Sequence, residues 1–194
     1  MCLYLIIPFE LITKVSEVKD IKDDVISMQI LLNEYLEHSK NIDTSEKLKL
    51  LNLKKLLTNL MIDSRKYFRD VNIAINCSSK INILYSENNL SRIFSNILNN
   101  ACKFGKNVQI NVYIDKKRFN VDFDDDGPGI PDKIKKKIFT PFFKLDSSRN
   151  LNHIGSGLGL SIAKQIVSKM GGRINIQKSK LGGSSFSVIL PLKR

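Results

Sequence analysis

The sequence predicts an α+β protein, in which a two-layer α/β sandwich is preceded by one long bundle or coiled-coil helix. Residues 45–194 alternate between segments with a helical spacing of apolar residues and short strand-like segments. Two pairs of strand-like segments are joined by short turns, which is typical of hairpins in a sheet that packs against helices. Residues 10–40 show only helical periodicity, so they are predicted to form a separate helix.

The predicted front helix carries apolar residues at spacings of three and four, which is the pattern of a coiled-coil seam. Further apolar residues widen this stripe and favour a helical bundle over an isolated two-stranded coil. A core helix of one globular domain is an alternative reading of the same pattern. Residues 39–44 are a polar linker in this interpretation, so the predicted domains are 1–41 and 45–194. The seam consists of Val18, Ile21, Val25, Met28, Leu32 and Tyr35.

The larger predicted domain contains three helices and six strands around one long loop. Residues 127–157 are rich in Gly, Pro, Lys and Ser and lack periodicity, and a loop of this length in a compact domain is usually a functional lid. The helices are predicted at 48–68, 89–104 and 158–170, and the strands at 71–75, 81–85, 108–114, 119–123, 174–177 and 185–190.

The chain is strongly basic, but the charge is unevenly distributed. It has 194 residues, with 31 Lys and Arg against 19 Asp and Glu, which gives a net charge of +12. Residues 1–41 carry four basic and seven acidic side chains, whereas residues 42–194 have a net charge of +15. A balance of this kind indicates a polyanionic partner, such as a nucleic acid, an acidic membrane or another polyanion.

Several classes of protein conflict with the cysteine content and with the start of the chain. Cys2, Cys77 and Cys102 are odd in number and form no Cys-x-x-Cys pair, which argues against a disulfide framework or a structural zinc site. The apolar segment Met1 to Phe9 is too short to span a bilayer and lacks the positive start of a signal peptide. We therefore expect a cytoplasmic chain without a membrane segment.

The first candidate site is the acidic and glycine-rich segment 124–130, which directly follows a predicted strand. Its glycines permit a close approach to the backbone, and a carboxylate at a strand end can accept a hydrogen bond from an adenine amine. A solvated turn without a ligand-binding role is the alternative. A calcium loop starting at Asp122 is a poorer alternative, because its twelfth position should be Glu and is Lys133. The segment reads Asp124-Asp125-Asp126-Gly127-Pro128-Gly129-Ile130.

The second candidate site is a glycine-rich segment that opens a predicted helix. Glycines at alternate positions leave backbone N–H groups free to converge on a phosphate, and the helix N-terminus adds positive charge. The segment lacks the Gly-Lys-Ser/Thr end of a Walker A loop, and no strand leads directly into it as in a Rossmann fingerprint. It reads Gly155-Ser156-Gly157-Leu158-Gly159-Leu160.

The third candidate site is a pair of asparagines, Asn96 and Asn100, on one face of the predicted helix 89–104. Because Asn has a low helix propensity, two on one face suggest contacts to a metal or to phosphate. Their carboxamide oxygens suit Mg²⁺, which accompanies triphosphates, and Lys103 lies on the adjacent turn. A solvated helix face explains this pair equally well when it is considered alone.

Together and in this order, these segments resemble the nucleotide-binding domain of sensor histidine kinases, within the gyrase–Hsp90–histidine kinase–MutL superfamily. The resemblance covers residues 45–194 and implies the Bergerat-type fold of that superfamily. The closing hairpin of the family is similar to Gly182-Gly183-Ser184-Ser185-Phe186. The other motifs resemble an N box at 92–104, a G1 box at 125–130, an F box at 138–144 and a G2 box at 155–160.

The resemblance implies ATP and Mg²⁺ as ligands and assigns roles to the motif residues. Asp125 would accept a hydrogen bond from the adenine amine, and Phe104 would pack on the base. Asn100 would ligate Mg²⁺, Asn96 would lie on the phosphate side, and both would act in catalysis together with Lys103. The lid would comprise residues 130–154. The other implied ATP-binding residues are Gly127, Gly129, Ile130, Lys144, Arg149, Gly155, Ser156, Gly157, Leu158, Gly159 and Ser185.

One position separates kinases from hydrolases within this superfamily. The hydrolysing members place a Glu general base one helical turn before the Mg²⁺-binding Asn. That position is Asn96 here, and a carboxamide cannot take a proton from water. The resemblance therefore implies an enzyme that holds ATP and transfers its γ-phosphoryl group to a histidine.

The front helix resembles the second helix of the dimerisation and phosphotransfer hairpin of osmosensor-like kinases. This implies a homodimer, or a partner chain that carries the phosphoacceptor helix, and a response regulator. No phosphoacceptor signature occurs in residues 1–16, and His38 is interpreted as a surface histidine. His153 lies in the predicted lid, where a cap or a phosphate contact is the expected use rather than a specific role. We expect the C-terminal part of a histidine kinase, which phosphorylates an acceptor in trans and fails to phosphorylate itself.

Two other functions compete with this interpretation. The first is a non-catalytic ATP-binding and dimerisation module from a split or degraded kinase gene. The second is a nucleic-acid binder, suggested by the basic clusters 116–118 and 133–137. These clusters lack interleaved aromatic residues and fit no RNA- or DNA-binding motif, so a solvated surface is the better interpretation.

Overall fold

The computed structural model describes residues 47–115, 117–144 and 156–192. All of them belong to the second of the two compact units into which the chain divides, Asn41–Arg194. The predicted front helix, the linker, His38 and His153 lie outside the described residues. Over the described ranges, no helix combines the length and the apolar character needed to cross a membrane.

Strands and helices alternate along this unit. In chain order they are β1 (Lys49–Asn52), α1 (Leu53–Arg65), β2 (Asn72–Asn76), β3 (Asn82–Tyr85), α2 (Glu87–Phe104), β4 (Asn107–Ile114), β5 (Arg118–Asp125), α3 (Gly159–Lys169), β6 (Arg173–Lys178) and β7 (Ser184–Pro191). Short 3-10 turns at Asp132–Ile134 and Lys137–Phe139 lie in the predicted lid.

A five-stranded sheet in the order β2-β4-β5-β7-β6 forms one layer, and the helices pack on it as the second. β2 is parallel to β4, whereas the other neighbouring strands are antiparallel, so the two predicted hairpins are confirmed. Side chains alternate between the faces of β5 and β7 because successive residues of a strand point to opposite sides. The buried face of these two strands presents Phe119, Val121, Phe123, Phe186, Val188 and Leu190.

The structure corrects the predicted helix at residues 48–68. Lys49–Asn52 is a strand that pairs antiparallel with β3, and the helix begins only at Leu53. Asn52 caps this helix, because its side-chain oxygen accepts a hydrogen bond from the backbone N–H of Lys55 (2.9 Å). Pairing with a strand more than 25 residues away along the chain overrides the local helical spacing of the leucines.

Candidate nucleotide-binding site

The site is built around the carboxylate of Asp125, which is the last residue of β5 and is only 3% exposed. Its Oδ1 accepts hydrogen bonds from the backbone N–H groups of Gly127 (2.9 Å) and Ser184 (3.1 Å). Its Oδ2 accepts none from the residues that the structure describes. Burial raises the pKa of this carboxyl, and the two backbone hydrogen bonds counteract the shift. One carboxylate oxygen is therefore held in place, and the other is available to a ligand.

Two glycines provide the space that this carboxylate occupies. A Cβ atom at Gly183 would overlap Asp125 Oδ1 and would lie 2.5 Å from the backbone nitrogen of Gly127. A Cβ atom at Gly127 would lie 2.8 Å from the carbonyl oxygen of Phe104. The turn of the closing hairpin and the end of α2 thus approach the acidic turn so closely that only glycine fits at positions 183 and 127.

The three consecutive acids of this segment have different environments. Asp124 lies on the other face of the sheet, where its Oδ2 accepts a hydrogen bond from Asn111 Nδ2 (3.1 Å). Asp126 Oδ1 accepts from the backbone N–H groups of Lys106 (2.7 Å) and Asn107 (2.9 Å), and its Oδ2 accepts from Asn107 Nδ2 (2.7 Å). These hydrogen bonds lower the pKa of Asp126. Asp126 therefore holds the acidic turn to the start of β4, and Asp125 alone faces the site.

The N box and the G2 box meet where α2 packs against the start of α3. A Cβ atom at Gly159 would lie 3.0 Å from Asn96 Oδ1, so the Asn96 carboxamide lies directly against the beginning of α3. Asn100 is half-buried one turn further along α2 and makes no hydrogen bond through its side chain to any described residue. The sequence prediction placed these residues near phosphate, and the structure brings Asn96 to the start of α3, with Asn100 one helical turn away on α2.

The F box is joined to the glycine-rich segment through the backbone. The N–H group of Phe142 donates to the carbonyl oxygen of Gly157 (3.1 Å), and Phe142 has a φ of 63°, which is uncommon outside glycine. A Cβ atom at Gly157 would lie 2.9 Å from the carbonyl oxygen of Phe143. Ser156 is buried and accepts a hydrogen bond from the N–H group of Leu158 (3.1 Å). The lid and the start of α3 therefore form one connected loop region.

The charges of Lys103, in α2, and Lys144, in the F box, influence each other. Burial lowers the pKa of Lys103, and the positive charge of Lys144 lowers it further. Neither lysine forms a salt bridge with a carboxylate of the described residues. Lys103 Nζ lies 5.4 Å from the ring centroid of Phe104, which is 39% exposed at the end of α2. Two close ammonium groups without a counter-charge favour the binding of an anion.

Some predicted site residues fall elsewhere. Arg149 and Gly155 lie outside the described residues, and the side chain of Leu158 is fully buried in the core, where Ile130 also packs. The predicted position of Ser185 in the site is corrected. Ser185 pairs with Asp124, so its side chain lies on the face of the sheet that points away from Asp125. Its neighbour Ser184 supplies the N–H group that contacts Asp125.

Sequence reasoning therefore missed the roles of Ser184, Asp126 and the side chain of Asn107. The glycine pair before Ser184 marked a turn, but the pattern did not indicate which N–H group would point at Asp125. For Asp126 the signal was the crowding of three acids, which requires that their charges be separated by different partners.

The part of the chain that forms this site matches a known protein family. The sequence profile of the histidine kinase-, DNA gyrase B- and HSP90-like ATPases matches residues 85–194, which is more than half of the chain. The chain belongs to this family of ATPases. The described unit is accordingly an ATP-binding domain, and the G1, N, F and G2 boxes lie in the matched part.

The most similar curated relatives include three histidine kinases or sensor proteins. Histidine kinase P4 of Formosa agariphila is 34% identical over 153 residues, which cover 74% of this chain and 11% of that protein. Sensor protein RstB of Escherichia coli is 39% identical over 104 residues, covering 53% of this chain and 24% of RstB. The histidine-protein kinase BaeS of Escherichia coli is 33% identical over 129 residues, covering 65% of this chain and 28% of BaeS. The chain thus spans less than a third of the length of these relatives.

Solved structures show the same fold. The mycobacterial sensor histidine kinase MprB superposes with a TM-score of 0.65 at 25% identity, covering 75% of this chain and 98% of that chain. Full-length ShkA in complex with AMPPNP superposes with a TM-score of 0.72 at 24% identity, covering 91% of this chain and 38% of that chain. The predicted Bergerat-type sandwich of the histidine kinase ATP-binding domain is therefore confirmed.

Proposed function

We propose that this domain binds Mg²⁺-ATP and donates the γ-phosphoryl group to a histidine on a chain that carries the phosphoacceptor helix. The observation that supports the proposal most directly is the asymmetry of the Asp125 carboxylate. Oδ1 is held by two N–H groups, while Oδ2 accepts no hydrogen bond from the described residues. An adenine amine matches this acceptor, because a buried carboxylate oxygen needs a donor to offset its desolvation.

The magnesium part of the proposal rests on Asn100. Its carboxamide is half-buried on the same helix face as Asn96, which contacts the start of α3. One carboxamide oxygen fits Mg²⁺, which usually takes one or two protein ligands and keeps water and phosphate oxygens as the others. Mg²⁺, when bound, would neutralise charge on the triphosphate. Asn100 would hold it, and Asn96 would orient the neighbouring phosphate.

Transfer is favoured over rapid hydrolysis by the groups around the triphosphate position. Asn96 occupies the place at which a general base would activate water, and a carboxamide does not accept that proton. Lys103 and Lys144 supply positive charge without a carboxylate partner among the described residues. Phosphoryl transfer depends mainly on positioning and charge neutralisation, so these residues suffice for the domain's share of the reaction.

The partners belong to the same proposal. The relatives are named as histidine kinases or sensor proteins, which supports a homodimer or an acceptor-bearing chain as the substrate and a response regulator as the next acceptor. Use of ATP and two buried, reduced cysteines, Cys77 and Cys102, support a cytoplasmic location. A non-catalytic ATP-binding module is the competing function, and a phosphoryl-transfer experiment distinguishes the two.

The test mixes the full chain with γ-labelled ATP, Mg²⁺ and a separate protein that carries a phosphoacceptor hairpin. We expect acid-labile phosphate on the acceptor and none on this chain alone. An Asn100→Ala variant should lose transfer, and an acceptor without its histidine should remain unlabelled. ATP binding without transfer would identify a non-catalytic module. Stable acid-labile phosphate on this chain alone would contradict transfer in trans.

A further inference from the structure

A basic groove lies apart from the nucleotide site. It has a volume of about 370 Å³ and runs between the 3-10 turns of the lid, α3 and the edge strand β6. Three of its lining residues lie in the predicted lid, but none is among the residues assigned to contacts with ATP or Mg²⁺. The lining comprises Lys135, Lys136, Phe139, Lys164 and the four β6 residues 174–177. Part of the positive charge of the domain is therefore not used by the triphosphate.

The lysines of this groove are available to an external acid. Lys135 bonds to Asp132 (2.7 Å), but the Asp132 side chain is 91% exposed, so the pair contributes little and an incoming carboxylate can replace it. Neither Lys136 nor Lys164 forms an ion pair with any residue of the described ranges. Among the described residues, the groove therefore presents three ammonium groups and one weakly held counter-charge.

One wall of the groove is formed by β6, which is an edge strand of the described sheet. Within the described sheet, β6 pairs with β7 on one side and with no strand on the other. Every second residue of such an edge directs its N–H and C=O groups outward, where another strand can pair with them. The residues Ile174–Gln177 that line the groove are central in β6, and Arg173 and Lys178 add positive charge at its two ends.

We propose that this groove binds an extended acidic segment of a partner protein, which adds a strand to the edge of β6 and places its carboxylates on the lysines. Two observations on different groups favour this occupant: the open backbone edge selects an extended chain, and the three ammonium groups select acidic side chains. A single-stranded nucleic acid fits less well, because bases need exposed aromatic faces for stacking. The only aromatic residue of the lining is Phe139, and Lys164 Nζ already lies 5.1 Å from its ring centroid.

The test uses a fluorescein-labelled peptide of alternating Glu and Val and measures its binding to the full chain by fluorescence anisotropy at low salt. The double variant Lys136→Glu/Lys164→Glu should bind the peptide at least about tenfold more weakly. The matched double variant Lys54→Glu/Lys55→Glu carries the same change of net charge on the exposed face of α1, so it should stay within about twofold of the original chain. Both variants should keep the circular dichroism spectrum and the urea denaturation midpoint of the original chain, which shows that both fold.

The contribution of the strand edge is tested with a second peptide of the same sequence that is N-methylated at alternate residues. It keeps the carboxylates but cannot pair with β6, so we expect binding at least about tenfold weaker than that of the parent peptide. Equal binding of the two peptides would overturn the proposal in favour of simple anion binding. The proposal would also be overturned if the Lys136→Glu/Lys164→Glu variant bound the parent peptide as tightly as the original chain does. Complete displacement of the peptide by an equimolar single-stranded oligonucleotide would overturn it as well.

Discussion

The substitution Asp125→Asn tests the adenine contact with the smallest possible change of shape. In the original chain, Oδ1 accepts from the N–H groups of Gly127 and Ser184, and Oδ2 is left for the ligand. An Asn at this position must keep its oxygen toward these two donors, because its amide group would otherwise meet them donor to donor. The amide nitrogen then takes the place of Oδ2 and faces the adenine amine, which is also a donor.

The size of the effect follows from the loss of one charge-assisted hydrogen bond. Hydrogen bonds to charged groups contribute about 1.5–3 kcal/mol. This corresponds to an affinity for Mg²⁺-ATP that is about 10- to 150-fold weaker. The fold should survive: burial raises the folded pKa of Asp125 above its unfolded value, so ionising it costs stability as the pH rises through that folded pKa. At neutral pH the neutral Asn is therefore not expected to lower the free energy of unfolding.

Isothermal titration calorimetry with Mg²⁺ and a non-hydrolysable ATP analogue measures this change. Asp124→Asn is the matched control, because it makes the same chemical change one residue earlier, on the opposite face of the sheet. The control should retain the original affinity. An unchanged affinity in Asp125→Asn, with the fold intact by urea denaturation, would refute the assignment of the adenine site.

Three further predictions concern Gly183, Asp126 and Cys102. Gly183→Ala should weaken ATP binding at least tenfold and destabilise the domain by about 1–3 kcal/mol, because the new methyl group overlaps Asp125 Oδ1. Its control is Gly182→Ala, whose Cβ would meet nothing within 4 Å: this variant should lose stability because of the φ of +111°, but its affinity for ATP should be unchanged in the same titration. Asp126→Asn should lower the free energy of unfolding by about 1 kcal/mol at neutral pH, because the hydrogen bonds from Asn107 and Lys106 hold the pKa of Asp126 low. In urea denaturation, this difference between the variant and the original chain should disappear as the pH falls below 3.8 and through the lowered pKa of folded Asp126. Cys102 should react with iodoacetamide only upon unfolding, because burial raises its pKa to about 12, and peptide mass spectrometry of the labelled folded protein would show rapid alkylation if this reasoning were wrong.

Most of the fold was predictable because its signals are local. The alternation of apolar residues in β5 and β7 indicated strands with one buried face, and Gly182-Gly183 marked the turn between β6 and β7. The exception was β1, whose leucines have a helical spacing but pair with β3. A short apolar segment is ambiguous between helix and strand until its partner is known.

The candidate site was predictable to the level of motifs and less so to the level of atoms. Asn96 and Asn100 share a helix face because they are four residues apart, and the structure places Asn96 against the start of α3. The sequence prediction named Ser185 and did not consider Ser184, because the face on which each side chain lies depends on the register between β5 and β7. A shift of one residue in that register exchanges the two faces of the strand.

The sequence by itself determined the order of the motifs, the alternation of strands and helices, and the excess of positive charge in residues 42–194. These properties depend on residue type and on spacing along a short stretch of chain. Only the tertiary structure decided that Asp125 faces the site while Asp124 and Asp126 serve other contacts, and that part of the lysine cluster lines a groove at β6. The reason is physical: one of the two N–H groups that hold Asp125 belongs to a residue 59 positions away, and no local pattern encodes a contact of that range.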